Sequence, residues 1–130
     1  MSIKRIKVGP RMSQAVVHGN TVYLAGQVAT EAAGGSVTDQ TQEILSQIDA
    51  LLAEAGTDKS KLLSANLYVV DMATFPEVNA VWDAWVSPGN TPCRTTVQAT
   101  LAAPKYAVEI GIIAARSERL SRRRRGPIFR

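Results

Sequence analysis

Three segments of the chain set apolar residues back to back where a strand with one wet face would alternate them: Val16-Val17, Val69-Val70 and Ile112-Ile113. Successive side chains of a β-strand point to opposite faces, so such runs demand cover on both sides of a sheet. Only two stretches of the same chain carry the spacing of an amphipathic helix, and two helices cover one face. The pattern predicts a mixed α+β sheet with helices on one side and association with further copies on the other.

The local signals assign the elements. Ile3, Ile6 and Val8 lie among Lys4, Arg5 and Lys7 in near-alternation, and Gly9-Pro10 stops this first strand. Ala15–His18 and Thr21–Ala25 are β-rich and joined by Gly19-Asn20, a hairpin signal. A helix is predicted from Thr38 or Asp39, with Asp39 as cap and Gln42 three residues on. Ile44, Leu45, Ile48, Leu51, Leu52 and Ala55 lie on one face, and Gly56 ends it. Leu62–Val70 reads as a largely buried strand. Thr74-Phe75-Pro76-Glu77 reads as a capping box opening a second helix, with Val78, Val81, Trp82 and Trp85 inward and Pro88-Gly89 beyond its end. Thr95–Leu101 and Ala107–Ala115 complete a β-β-β-α-β-α-β-β order of about six strands, with Ala102–Lys105 as the loop between the last two.

Charge divides the chain. Its formal net charge is +4 over 130 residues, yet residues 1–115 hold eight Lys/Arg against ten Asp/Glu, and residues 116–130 hold seven Arg and one acid. A folded domain over 1–115 and a basic, solvated, flexible tail over 116–130 are expected. The run Arg122-Arg123-Arg124-Arg125 is able to meet RNA, an anionic surface or an acidic neighbour. The longest apolar stretch, Ala107–Ala115, is far short of the roughly 20 residues of a membrane span. The first ten residues lack the apolar core of a secretory signal, so a cytoplasmic protein is expected. Cys93 is the single cysteine and has no Cys or His at ligand spacing, which argues against disulfides and zinc. Gly34-Gly35 is not followed by Lys-Ser/Thr and no G-x-G-x-x-G occurs, so no nucleotide cofactor is expected.

Few residues are left to carry chemistry. His18 precedes a turn with no nucleophile motif nearby, and reads as a turn residue rather than a general base. Cys93 has no partner base beside it and reads as an inert thiol. Arg94 stands at the mouth of a strand, and Glu109 interrupts an apolar one between Val108 and Ile110. Burying that acid unpaired costs several kcal/mol, so it must face a pocket or meet a donor. If the last two strands are neighbours, Arg94 and Glu109 lie at the same end of the sheet, as a binding site or as an interface ion pair.

These residues, with Gly26-Gln27 after the hairpin, Asp71-Met72, Phe75 with Asn79, Pro92-x-Arg94 and Val108-Glu109-Ile110, resemble the reactive intermediate deaminase family, RidA/YjgF. The match runs over roughly residues 9–115. The resemblance implies a chorismate-mutase-like fold, a homotrimer with clefts between subunits, and no cofactor. It implies hydrolysis of enamine/imine intermediates such as 2-aminoacrylate to 2-oxo acids and ammonia. Arg94 then matches the residue that holds the substrate carboxylate through a planar bidentate contact, and Glu109 the acid that works on water. Gly26 and Thr96 match pocket-lining positions. The chain departs from the family in three places. Met12, within Gly9-Pro10-Arg11-Met12-Ser13-Gln14, stands nearest the family tyrosine, Ala25 replaces a serine, and Thr96 replaces a frequent cysteine. Loss of the tyrosine hydroxyl bears on which substrate is taken. A non-catalytic carboxylate-binding or regulatory protein and an RNA-binding or endoribonuclease-type member are the competing functions.

Overall fold

The computed structural model describes residues 2–116. Six strands and two α-helices follow in the predicted order: β1 (Ile3–Val8), β2 (Ser13–His18), β3 (Thr21–Gln27), α1 (Val37–Glu54), β4 (Leu62–Val69), α2 (Phe75–Trp85), β5 (Cys93–Gln98) and β6 (Val108–Ala115). They build one mixed sheet in the spatial order β1-β2-β3-β6-β4-β5. β4 and β5 run parallel, and all other neighbours are antiparallel. Gly19 alone in the hairpin takes a positive φ, 62°, as the first central residue of a II′ turn requires.

The core is a single layer between the sheet and the helices. Ile44, Leu45, Ile48, Leu51 and Leu52 of α1 and Val78 and Trp82 of α2 pack on Val17, Val22, Leu67, Val69, Ile110 and Ile112. Burying each such large side chain is worth about 1.5–3 kcal/mol over leaving it in water. Both helices cover one face, as the apolar patterning predicts. On the opposite face Tyr23, Leu63 and Val97 stay 45%, 49% and 42% exposed.

Four local expectations are corrected. Helix α1 starts at Val37, and Ser36 rather than Asp39 caps it, its hydroxyl accepting from Asp39 N at 3.0 Å. Asp39 is left in the first turn, where a carboxylate meets the positive end of the helix dipole. Thr74 makes no capping box, because a 3-10 turn over Met72–Thr74 puts it in a helical conformation, and its hydroxyl donates to Asp71 O instead. Strand β5 begins at Cys93 and ends at Gln98, three residues before the expected end, because its parallel partner β4 stops at Val69. Finally β5 and β6 are not neighbours, since β4 lies between them.

Arg116, counted with the tail from sequence, is 5% exposed and closes the folded body. Its backbone N donates to Asn20 O at 2.7 Å and its Nη2 to Gly19 O at 3.0 Å, both in the hairpin turn. The expectation for the remaining tail, 117–130, lies outside the described residues. No helix among the described residues is long and apolar enough to cross a membrane.

The loop from β3 to α1 is pinned by one acid. The Glu43 carboxylate accepts from Ala32 N at 2.9 Å, Thr30 N and Thr30 Oγ1 at 3.0 Å, and Glu31 N at 3.1 Å. The Ala32 amide foremost, then those of Glu31 and Thr30, hold its pKa below the ordinary 4.5 against the opposing effect of desolvation. A depressed carboxylate adds stability that is present above its unfolded pKa and lost as pH falls through the folded one. Unfolding midpoints taken from neutral pH down to 3 should therefore drop on the acid side, and Glu43→Ala should flatten that drop. An identical acid slope in the two proteins would count against this role.

Candidate functional site

Glu109 sits in β6 opposite Tyr68 of β4, so it points to the sheet face away from the helices, while Val108 and Ile110 on either side enter the core. The alternation resolves how an acid survives in an apolar strand. Its carboxylate lies against Gly26, where β3 slips register against β6 between Leu24 and Gln27. A Cβ placed on Gly26 would collide with Glu109 Oε2, so only glycine leaves room for the acid there. Around the pair lies a cavity of about 310 Å³ whose lining includes Tyr23, Asn66, Tyr68 and Gly111. Sequence reasoning passed over Asn66 and Tyr68. Their signal was the polar period of two, Ser64, Asn66 and Tyr68, within a strand read as largely buried.

Arg94 is the second residue of β5 and pairs with the buried Ala65 of β4, which turns its side chain to the helix face of the sheet. There α2 receives it. Arg94 Nη2 donates to Asn79 Oδ1 at 2.8 Å, and its guanidinium carbon lies 5.4 Å from the ring centres of both Phe75 and Trp82. Phe75, Asn79 and Trp82 follow the three- and four-residue spacing that puts side chains on one stripe of a helix. A planar cation against two rings, with one edge tied to an amide, has few rotamers left to lose on meeting an anion. Arg94 is nonetheless exposed.

The structure thus brings Gly26 and Glu109 together and sets Arg94 apart from them, on the other face of the sheet and across β4. The expectation that the two charged residues share one end of the sheet through adjacent strands fails within one copy. Thr96, two residues beyond Arg94 on β5, is half-buried, and Met12 in the β1–β2 turn is 47% exposed and shares a cavity wall with Gly26. His18 is exposed at the end of β2, and Cys93 is exposed with its thiol donating to Leu63 O at 3.2 Å. Among the described residues no cluster of His, Cys, Asp and Glu is able to hold a metal ion.

The family model described as endoribonuclease L-PSP matches residues 2–116. A RutC family protein of Haemophilus ducreyi is 44% identical over 113 residues, covering 87% of this chain and 96% of its own length. The RutC family protein YoaB of Escherichia coli K12 is 44% identical over 115 residues, 88% of this chain and 99% of that one. In three dimensions, a crystal structure of a YjgF family member from Neisseria meningitidis superposes with a TM-score of 0.87 at 42% identity, over 91% of this chain and 98% of its own.

Proposed function

We propose that this chain, which belongs to the endoribonuclease L-PSP family of RutC- and YjgF-type proteins, is a cofactor-free hydrolase that turns reactive enamine/imine acids of the 2-aminoacrylate kind into 2-oxo acids and ammonia. One observation carries the reading: a carboxylate seated on a backbone without a side chain faces one side of the sheet, and a guanidinium held by α2 faces the other. The exposed apolar residues of the outer face favour a second copy covering it, so that Arg94 of one subunit meets Glu109 of the next. A homotrimer with a cleft at each subunit boundary is the assembly that goes with this reading. Light scattering should give the trimer mass at micromolar concentration, and a stable monomer would remove the shared cleft.

In this scheme Arg94 fixes the substrate carboxylate, and with it the imine carbon. Enamine substrates first tautomerise to the imine, gaining a proton at carbon and losing one from nitrogen. Glu109 accepts a proton from water as the oxygen bonds to the imine carbon and returns it to nitrogen, giving a carbinolamine; it then carries the hydroxyl proton to the same nitrogen, and the C–N bond breaks to release ammonia as the carbonyl forms. Thr96, Gly26 and Met12 would line the cleft. Ammonia release from enzymatically generated 2-aminoacrylate tests the activity. Binding of a 2-oxo acid without ammonia release would make the chain a non-catalytic carboxylate sensor.

Gly26→Ala is a sharp probe of this site. The added methyl meets the far end of a flexible side chain, so the thermal midpoint should stay within a few degrees. Glu109 must then move aside, and turnover should fall by about 10²-fold, the scale of a 1 Å misplacement. Unchanged turnover in the folded variant would detach Glu109 from the reaction.

A further inference from the structure

Gly26 borders a second cavity, of about 550 Å³, between the first hairpin and α1. Met12, Gln14, Gln27, Gln47 and Leu51 contribute to its wall. Gly26 also lines the Glu109 cavity, so this one residue borders both compartments.

Three of the wall residues form a ladder of amides whose direction is fixed by the main chain. Gln27 Nε2 donates to Ala25 O and to Gln14 Oε1, both at 3.0 Å. Gln47 Nε2 donates to Val28 O at 3.1 Å and to Gln27 Oε1 at 3.2 Å. A backbone carbonyl only accepts, so the nitrogens of Gln27 and Gln47 must face Ala25 and Val28, and the Gln14 atom facing Gln27 must be its oxygen. The ends of the ladder are then the Gln14 amide nitrogen, a donor, and the Gln47 amide oxygen, an acceptor. Among the described residues neither end atom bonds to protein, and neither is a buried atom lacking a partner, so both are open to a ligand. Gln27 is 6% exposed and anchors the ladder in the core. At the mouth, Lys7 and Glu54 lie 3.8 Å apart and offset each other's charge.

We propose that this cavity is the side-chain compartment of the site and selects imino acids whose side chain ends in a primary carboxamide. Such a group accepts at its oxygen and donates at its nitrogen, which matches the two open ends of the ladder. A carboxylate only accepts and an ammonium only donates, and neither complements both. Met12, Val28 and Leu51 suit the methylenes in between. A site built to hydrogen-bond a polar group discriminates strongly against the analogue lacking it, because its own groups are left unpaired.

The inference rests on the deaminase reading, and its test separates the two. Imino acids are generated in situ by an amino-acid oxidase from glutamine and from norleucine, which has the same chain length without the amide, with 2-aminoacrylate assayed alongside. The wild-type protein should show kcat/KM for the glutamine-derived imine at least about tenfold above the norleucine-derived one. Gln14→Glu keeps the oxygen that Gln27 needs and turns the donating end into an acceptor, so the ratio should fall to about one. A wild-type ratio near one overturns the compartment and leaves the deaminase reading intact if 2-aminoacrylate is turned over. A tenfold ratio that persists in folded Gln14→Glu also overturns it. Absence of turnover on all three substrates overturns both. The wild-type ratio decides alone if the variant does not fold.

Discussion

Arg94→Ala is expected to lose both 2-oxo acid binding and ammonia release, by about 2–5 kcal/mol, the scale of removing one partner from a desolvated charge pair. The residue is exposed in the single chain, so an effect of that size would also indicate that a second subunit buries it. Arg94→Lys should restore only part of the loss. An ammonium is able to reach Asn79 Oδ1, but it cannot lie flat between Phe75 and Trp82 while presenting a two-pronged edge to a carboxylate. Calorimetry with 2-oxobutanoate and ammonia release on the same samples decide the point, and near-normal turnover in Arg94→Ala would sink the proposed function.

Glu109→Gln should fail differently. The amide keeps the volume that fits against Gly26 and removes charge and basicity, so ligand binding should persist while hydrolysis slows by about 10²–10⁴-fold, as for general acid–base groups. Turnover close to wild type would leave Glu109 as a packing partner of the β3 bulge and nothing more.

Period and punctuation were enough to give the strands and α-helices in order, though not the start of α1 or the bounds of β5. The hairpin at Gly19-Asn20, the α1 stripe from Ile44 to Ala55, and the stop at Gly56 with φ 84° all stand as the residues indicated. Glu109 was legible because a charge in an apolar strand is costly and needs a reason, and Arg94 because it stands at the mouth of a strand within Pro92-x-Arg94. Their relation was not legible. Which strand enters between which others depends on pairing partners far apart in sequence, and the short loop before β6 gave no sign that the chain passes over β4 to reach β3. Helix starts failed for a smaller reason, since Ser36 and Asp39 are equivalent caps by residue type and only the loop geometry chooses between them. The glutamine ladder was illegible as well, because Gln14, Gln27 and Gln47 come from three elements and share no spacing.

Among the described residues, strand β6 is the only bridge between two otherwise separate ribbons, β1-β2-β3 and β4-β5. It pairs Ala115 with Thr21 on one side and Val108 with Val69 on the other, so a strand made after the other five is the one that closes the sheet. Until it arrives, β3 and β4 each carry an unpaired inner edge, the kind of template that recruits strands from other chains. A topology whose decisive contacts are this non-local places folding toward the slow end for its size. Glu109 lies on that same strand, so a nascent or C-terminally clipped chain lacking β6 has neither a finished sheet nor the acid, and under the proposed function no half-built copy takes part in the reaction.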